Sequence, residues 1–122
     1  MKKIRCYAYT RVSTSIQVEG FSLKAQIDKI HKYAEYQNME IVKEFSDEGK
    51  SGKNIAGRTA FKEMLSKIEN REDDISFVLV FKLSRFGRNA SDVLNSLQIM
   101  QDYGVNLICI EDGIDSSKDK IF

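Results

Sequence analysis

The chain has 122 residues, 42% of them hydrophobic and 10% aromatic, the size and composition of one globular domain, which excludes wholesale disorder. A net charge of +1 argues against an autonomous high-affinity DNA-binding domain, though it leaves room for a local cluster of cations. No apolar run approaches a membrane span and Lys2-Lys3 precedes no signal-peptide core, so the expected location is the cytoplasm, with no membrane partner.

Strands and helices alternate along the chain. Residues 4–12 read as a buried strand. Leu23, Ile27, Ile30 and Ala34 recur at helical spacing, with Ser22 placed to cap that helix. Residues 40–45 predict a second strand, and Phe61, Met64, Leu65 and Ile68 a second helix. Residues 70–74 are a polar break that reads as a solvated turn. The run Phe77-Val78-Leu79-Val80-Phe81 is the clearest buried strand. Val93, Leu94, Leu97 and Met100 mark a third helix closed by Gly104, and residues 105–110 a fourth strand. This order predicts an α/β fold, a mostly parallel sheet of four or more strands with helices on both faces.

Two cysteines and one histidine without ligand spacing predict no metal site. Cys6 and Cys109 fall in apolar strands and read as small buried side chains. His31, in the polar stretch Lys29-Ile30-His31-Lys32, reads as a solvated helix residue.

Function in an open parallel sheet collects beyond the carboxyl ends of the strands. The first strand ends in Tyr9-Thr10-Arg11-Val12-Ser13-Thr14. Side chains two apart on a strand share a face, so Arg11 and Ser13 can address one ligand. A serine beside an arginine, with no histidine nearby, suits attack on a phosphodiester better than peptide hydrolysis. Strand two ends at Asp47; the 49–57 loop leads to Arg58 at a helix start. Strand three is followed by Lys82-Leu83-Ser84-Arg85-Phe86-Gly87-Arg88, with three cations. Each piece alone has a plainer reading: a self-bonded turn at Ser13-Thr14, a basic surface turn at 82–88, a turn residue at Asp47. Gly49-Lys50-Ser51 fails as a phosphate loop because Glu44 stands where that motif needs glycine. The convergence on one rim carries more than any single motif.

Together these residues resemble the catalytic domain of the serine recombinases, the resolvase, invertase and large serine integrase family. The resemblance rests on residues 9–14, Ser22-Leu23-Lys24-Ala25-Gln26, Asp47 with Ser51-Gly52, Gly57-Arg58, residues 82–88 and Glu111-Asp112-Gly113-Ile114-Asp115. The stretch Val18-Glu19-Gly20-Phe21-Ser22-Leu23 lengthens the turn before the first helix, as in the integrase and transposase branch.

The resemblance implies that Ser13 attacks a DNA phosphate, forming a 5′-phosphoserine and releasing a 3′-hydroxyl. It implies that Arg11, Arg85 and Arg88 hold the phosphate oxygens, and that Arg58, Lys82, Gln26 and Asp47 add charge or shape the site. Because the covalent link conserves the phosphodiester energy, neither ATP nor a metal is expected as cofactor. DNA is the expected partner, with a homodimer or tetramer for the full-length protein and no small-molecule substrate. Ser84 stands where many family members carry an aspartate, so a carboxylate base is not expected at that position; Asp47 or the arginines alone are the alternatives. Residues 1–115 are expected to be the catalytic domain and 116–122 the approach to a long helix. Two other readings stay open: an inactive recombinase-like assembly module, and an unrelated α/β phosphate binder.

Overall fold

The computed structural model describes residues 3–13, 23–49, 58–87 and 89–118. Ser22, the extended turn before the first helix, the loop after strand two, Arg88 and residues 119–122 lie outside them. Five strands and four helices are formed by the described residues: β1 (Ile4–Ser13), α1 (Leu23–Tyr36), β2 (Met39–Gly49), α2 (Thr59–Glu69), β3 (Phe77–Val80), α3 (Leu83–Phe86), α4 (Ala90–Asp102), β4 (Asn106–Cys109) and β5 (Ile114–Asp115). The sheet order is β2-β1-β3-β4-β5. The first four strands are parallel, as expected, while β5 is a short antiparallel edge strand.

Alternation along the strands sorts the core into two layers. Cys6, Ala8, Leu79 and Ile108 pack with Ile30 and Ala34 of α1 on one face. Tyr7, Tyr9, Val78, Val80, Leu107 and Cys109 pack with Phe61, Met64 and Ile68 of α2 and Val93, Leu97 and Met100 of α4 on the other. Helices therefore cover both faces. Edge-on aromatic contacts run through the second layer, Tyr7 with Phe45, Tyr9 with Phe61, and Phe61 with Phe86. β2 serves both layers because its register with β1 slips between Cys6 and Tyr7. Met39 packs with the α1 layer before the slip and Phe45 with the α2 layer after it.

α4 ends as its glycine predicts. The Gly104 N–H bonds the Gln101 carbonyl at 3.0 Å and the Val105 N–H bonds the Met100 carbonyl at 2.9 Å. Gly104 takes φ +77, completing a Schellman motif. Several expectations need correction. Leu94 is exposed, and Ser96 takes its place on the buried stripe of α4. Gln26, a polar residue, shares the buried stripe of α1 with Ile30 and Ala34. The 70–74 break is more than a solvated turn: the Asp73 carboxylate accepts the Tyr7 hydroxyl, and its carbonyl accepts Arg5 Nε at 2.9 Å. His31 is an exposed helix residue, as expected, with its Nε2 2.8 Å from Glu44 Oε2 of β2.

Candidate active site

β1 lies between β2 and β3, and the chain runs outward from β1 to β2, then crosses back over β1 to β3, so it changes direction around β1. In an open parallel sheet, such a switch is where ligands bind, beyond the carboxyl ends of the strands that flank it, here β1 and β3. β1 pairs with β3 only as far as Tyr9 opposite Val80, but with β2 as far as Ser13 opposite Gly49. Arg11 and the backbone of Ser13 thus project past β3, where the chain turns into α3.

α3 is one helical turn of four residues, too short to persist by its own hydrogen bonding. The last carbonyls of such a turn lack helical partners, and two arginines supply them. Arg11 donates from Nη2 to the Ser84 carbonyl and from Nε to the Arg85 carbonyl at 3.4 Å. Arg58 donates from Nη2 to the Phe86 carbonyl and from Nη1 to Asp92 Oδ2 at 2.8 Å. Arg85 itself is only 6% exposed and Arg58 8%. The turn at residues 83–86 is gripped by guanidinium groups, with Arg85 and Phe86 buried and Ser84 exposed.

Arg58 stands at the N-cap of α2 in the left-handed region, φ 32 and ψ 51, and makes no side-chain cap. Its guanidinium lies 3.8 Å from the Phe61 ring centroid and 5.6 Å from that of Tyr9. Asp92 belongs to the first turn of α4, whose N-terminus favours a carboxylate. Asn89 caps that helix, accepting the Asp92 N–H at 2.9 Å.

Asp47 does the capping that Arg58 does not. Its Oδ1 accepts the Ala60 N–H at 2.9 Å, and its Oδ2 accepts the Phe61 N–H at 3.0 Å. Oδ2 also accepts the Tyr9 hydroxyl at 2.7 Å. Burial raises the Tyr9 phenol well above its ordinary range; the Arg58 charge opposes this and the Asp47 carboxylate adds to it. The phenol stays neutral and donates.

The structure thus brings Arg11, Asp47, Arg58, Lys82 and Arg85 to one end of the sheet, with the Ser13 backbone. Lys82 is half-buried and extended, the residue from which α3 begins. Gln26 lies in α1, on the other face, fully buried, and neither amide atom has a hydrogen-bond partner among the described residues. The Ser13 side chain and Arg88 lie outside the described residues. Sequence reasoning gave no site role to three contributors: Tyr9 and Asp112, which it named only within motifs, and Asp92; Asp112 Oδ2 accepts the Leu83 N–H at 2.7 Å. Tyr9 was signalled by its spacing two residues before Arg11, on the same strand face. Among the described residues no group of three or more His, Cys, Asp or Glu is arranged to hold a metal. No helix among them is long and apolar enough to cross a membrane.

The profile of the resolvase N-terminal domain family matches residues 6–121. A resolvase/recombinase of Pseudomonas putida is 31% identical over 111 residues, covering 91% of this chain and 54% of its own, so the chain spans about half of that relative. A crystal structure of a resolvase family site-specific recombinase from Streptococcus pneumoniae is 65% identical, with a TM-score of 0.87, covering 98% of this chain and 80% of that one. The N-terminal catalytic domain of TP901-1 integrase is 33% identical with a TM-score of 0.80, covering 93% of this chain and 82% of that one. A rim of arginines at the switch point of a resolvase-like sheet, and a family match over almost the whole chain, agree: this chain belongs to the resolvase N-terminal domain family, the catalytic domain of serine site-specific recombinases.

Proposed function

We propose that the full-length protein cuts and rejoins DNA with Ser13 as the nucleophile. One observation carries this reading: two arginines, Arg11 and Arg58, lock the turn that bears the buried Arg85 at the strand end where β1 delivers Ser13. In this reading the Ser13 hydroxyl attacks the phosphorus of a backbone phosphodiester. The P–O bond to the 3′-oxygen breaks, leaving a 5′-phosphoserine and a free 3′-hydroxyl. Attack by a 3′-hydroxyl on the phosphoserine then reverses the step and returns the serine. Arg11, Arg85 and Arg88 hold the non-bridging oxygens and offset the charge that builds up in the transition state.

The carboxylates are better suited to building the site than to proton transfer. Asp47 is committed to two backbone N–H groups and a phenol, Asp92 to Arg58. With Ser84 in place of an acid, the arginines are left to favour the serine alkoxide by their field. Arg58, Lys82 and Asp47 act by fixing and charging the rim. Leaving a buried amide unpaired costs about 1–3 kcal/mol. That cost supports a site-shaping role for Gln26, in which the site supplies its partner. DNA is the substrate, and a dimer or tetramer is the assembly in which strands are exchanged.

The test is a serine-linked adduct between full-length protein and cognate DNA, trapped by denaturation. Ser13→Ala is expected to abolish it while leaving DNA affinity nearly unchanged, because affinity comes mainly from other phosphate contacts. Arg85→Ala is expected to slow it by about a hundredfold or more. An adduct of undiminished yield with Ser13→Ala would refute the assignment. Absence of any adduct with the wild-type protein would favour an inactive assembly module.

A further inference from the structure

The Glu111-Asp112-Gly113 turn has no part in the chemistry above, yet it touches the turn that carries Arg85. We propose that Asp112 is a positioning residue that anchors the amino end of α3 and thereby sets Arg85 against the scissile phosphate. This inference rests on the recombinase reading.

The argument starts from the chain between β3 and β4. Past the end of the sheet, Ile110 N–H still bonds the Val80 carbonyl at 2.9 Å and Glu111 N–H the Phe81 carbonyl at 2.8 Å. At the next step β3 has given way to α3. The ladder continues through a side chain instead, Asp112 Oδ2 accepting the Leu83 N–H at 2.7 Å. Lys82, at the N-cap, does not cap the helix with its side chain. The single turn is therefore held by Arg11 and Arg58 at its carbonyl end and by Asp112 at its N–H end.

The geometry that presents Asp112 is itself fixed. Gly113 takes φ +65 and its N–H closes on the Ile110 carbonyl at 3.4 Å, which returns the chain into β5 opposite Cys109. Lys29 of α1 lies 3.5 Å from Glu111 and braces the same turn from the other layer. A carboxylate suits the position twice over: it accepts from a backbone N–H at a helix start, and it faces a turn that carries Lys82 and Arg85.

Two readouts on the full-length protein test this. Asp112→Ala is expected to speed hydrogen exchange at the Leu83 amide by about tenfold. It should also slow single-turnover adduct formation at saturating DNA by about ten- to a hundredfold, the scale of a small misplacement of a catalytic group. Asp112→Asn keeps an acceptor oxygen and should recover most of both. A role confined to stability would lower the melting temperature and leave the saturated rate unchanged well below melting; that result would overturn the proposal. Unchanged exchange at Leu83 would overturn it equally. A wild-type protein that forms no adduct overturns the recombinase reading instead, and Leu83 exchange still decides whether Asp112 is the anchor.

Discussion

Asp47 shows how much one side chain can organise. Its carboxylate joins β1, β2 and α2 through Tyr9, its own strand and the Ala60 and Phe61 N–H groups. Losing a helix cap costs about 1–2 kcal/mol, and a further hydrogen bond about 1 kcal/mol. Asp47→Ala is accordingly expected to destabilise the domain by about 2–3 kcal/mol in urea denaturation, with Asp47→Asn intermediate. A change within about 0.5 kcal/mol, the range of an ordinary surface substitution, would contradict the capping role. Arg58 is the second such residue. Lysine cannot bond Phe86 and Asp92 at once through a planar fork, nor lie flat on Phe61. Arg58→Lys should cost about 2 kcal/mol or more despite keeping the charge. A urea midpoint equal to wild type would show that charge alone suffices there.

At the scale of elements, two glycines do different work, and the same substitution separates them. A Cβ on Gly87 would come within 2.6 Å of Val93 Cγ2 and 3.1 Å of Asp92 Oδ2, so α3 meets the start of α4 with no room for a methyl group. Gly87→Ala forces α4 away or twists the turn, at about 1–3 kcal/mol. It should also disturb the Arg58–Asp92 pair, and with it the adduct yield of the full-length protein. A Cβ on Gly104 meets nothing within 4 Å, but the backbone sits at φ +77. Gly104→Ala therefore has a purely conformational cost of about 1–2 kcal/mol and should leave adduct formation untouched. Equal effects of the two variants on catalysis would show that α3 and α4 are not coupled through Gly87.

Across the whole molecule, buried weak acids set the response to alkali. Burial, with a smaller contribution from Glu40 and Asp112 respectively, pushes the Cys6 and Cys109 thiols from 9.0 up to about 12. Tyr7 and Tyr9 move in the same direction, chiefly by burial, and the Asp73 hydrogen bond reinforces Tyr7. All four groups hold their protons more tightly folded than unfolded. Their contribution is fully present below about pH 9. It falls as pH rises toward 12, where the unfolded chain has released protons that the folded one keeps. Urea midpoints measured under reducing conditions should be flat from about pH 7 to about pH 8.5 and drop steeply by about pH 11. Thiol alkylation of the native protein should be slow at about pH 8 for the same reason. Fast alkylation there, or a midpoint independent of alkali, would contradict the burial of these groups.

The alternation of strands and helices was legible in the sequence, because the hydrophobic period reports which side of an element faces the core. So was the gathering at one rim: Arg11 and Asp47 lie near the ends of β1 and β2, Lys82 and Arg85 just past β3, and parallel strands bring their carboxyl ends together. What each of them does there was not legible. Asp47 reads as a turn residue or a base, and only the packed fold shows it capping a helix beyond the next loop. Arg11 reads as a phosphate ligand and Arg58 as a charged or shaping residue of the site, yet in the fold both grip backbone carbonyls, and a carbonyl acceptor leaves no mark on sequence because every residue carries one. The slip in β2, the exposure of Leu94 and the Tyr7–Asp73 bond have the same origin. Periodicity fixes which residues face inward on average; which partner each meets depends on register and on contacts between segments far apart in the chain, and these exist only once the layers have packed.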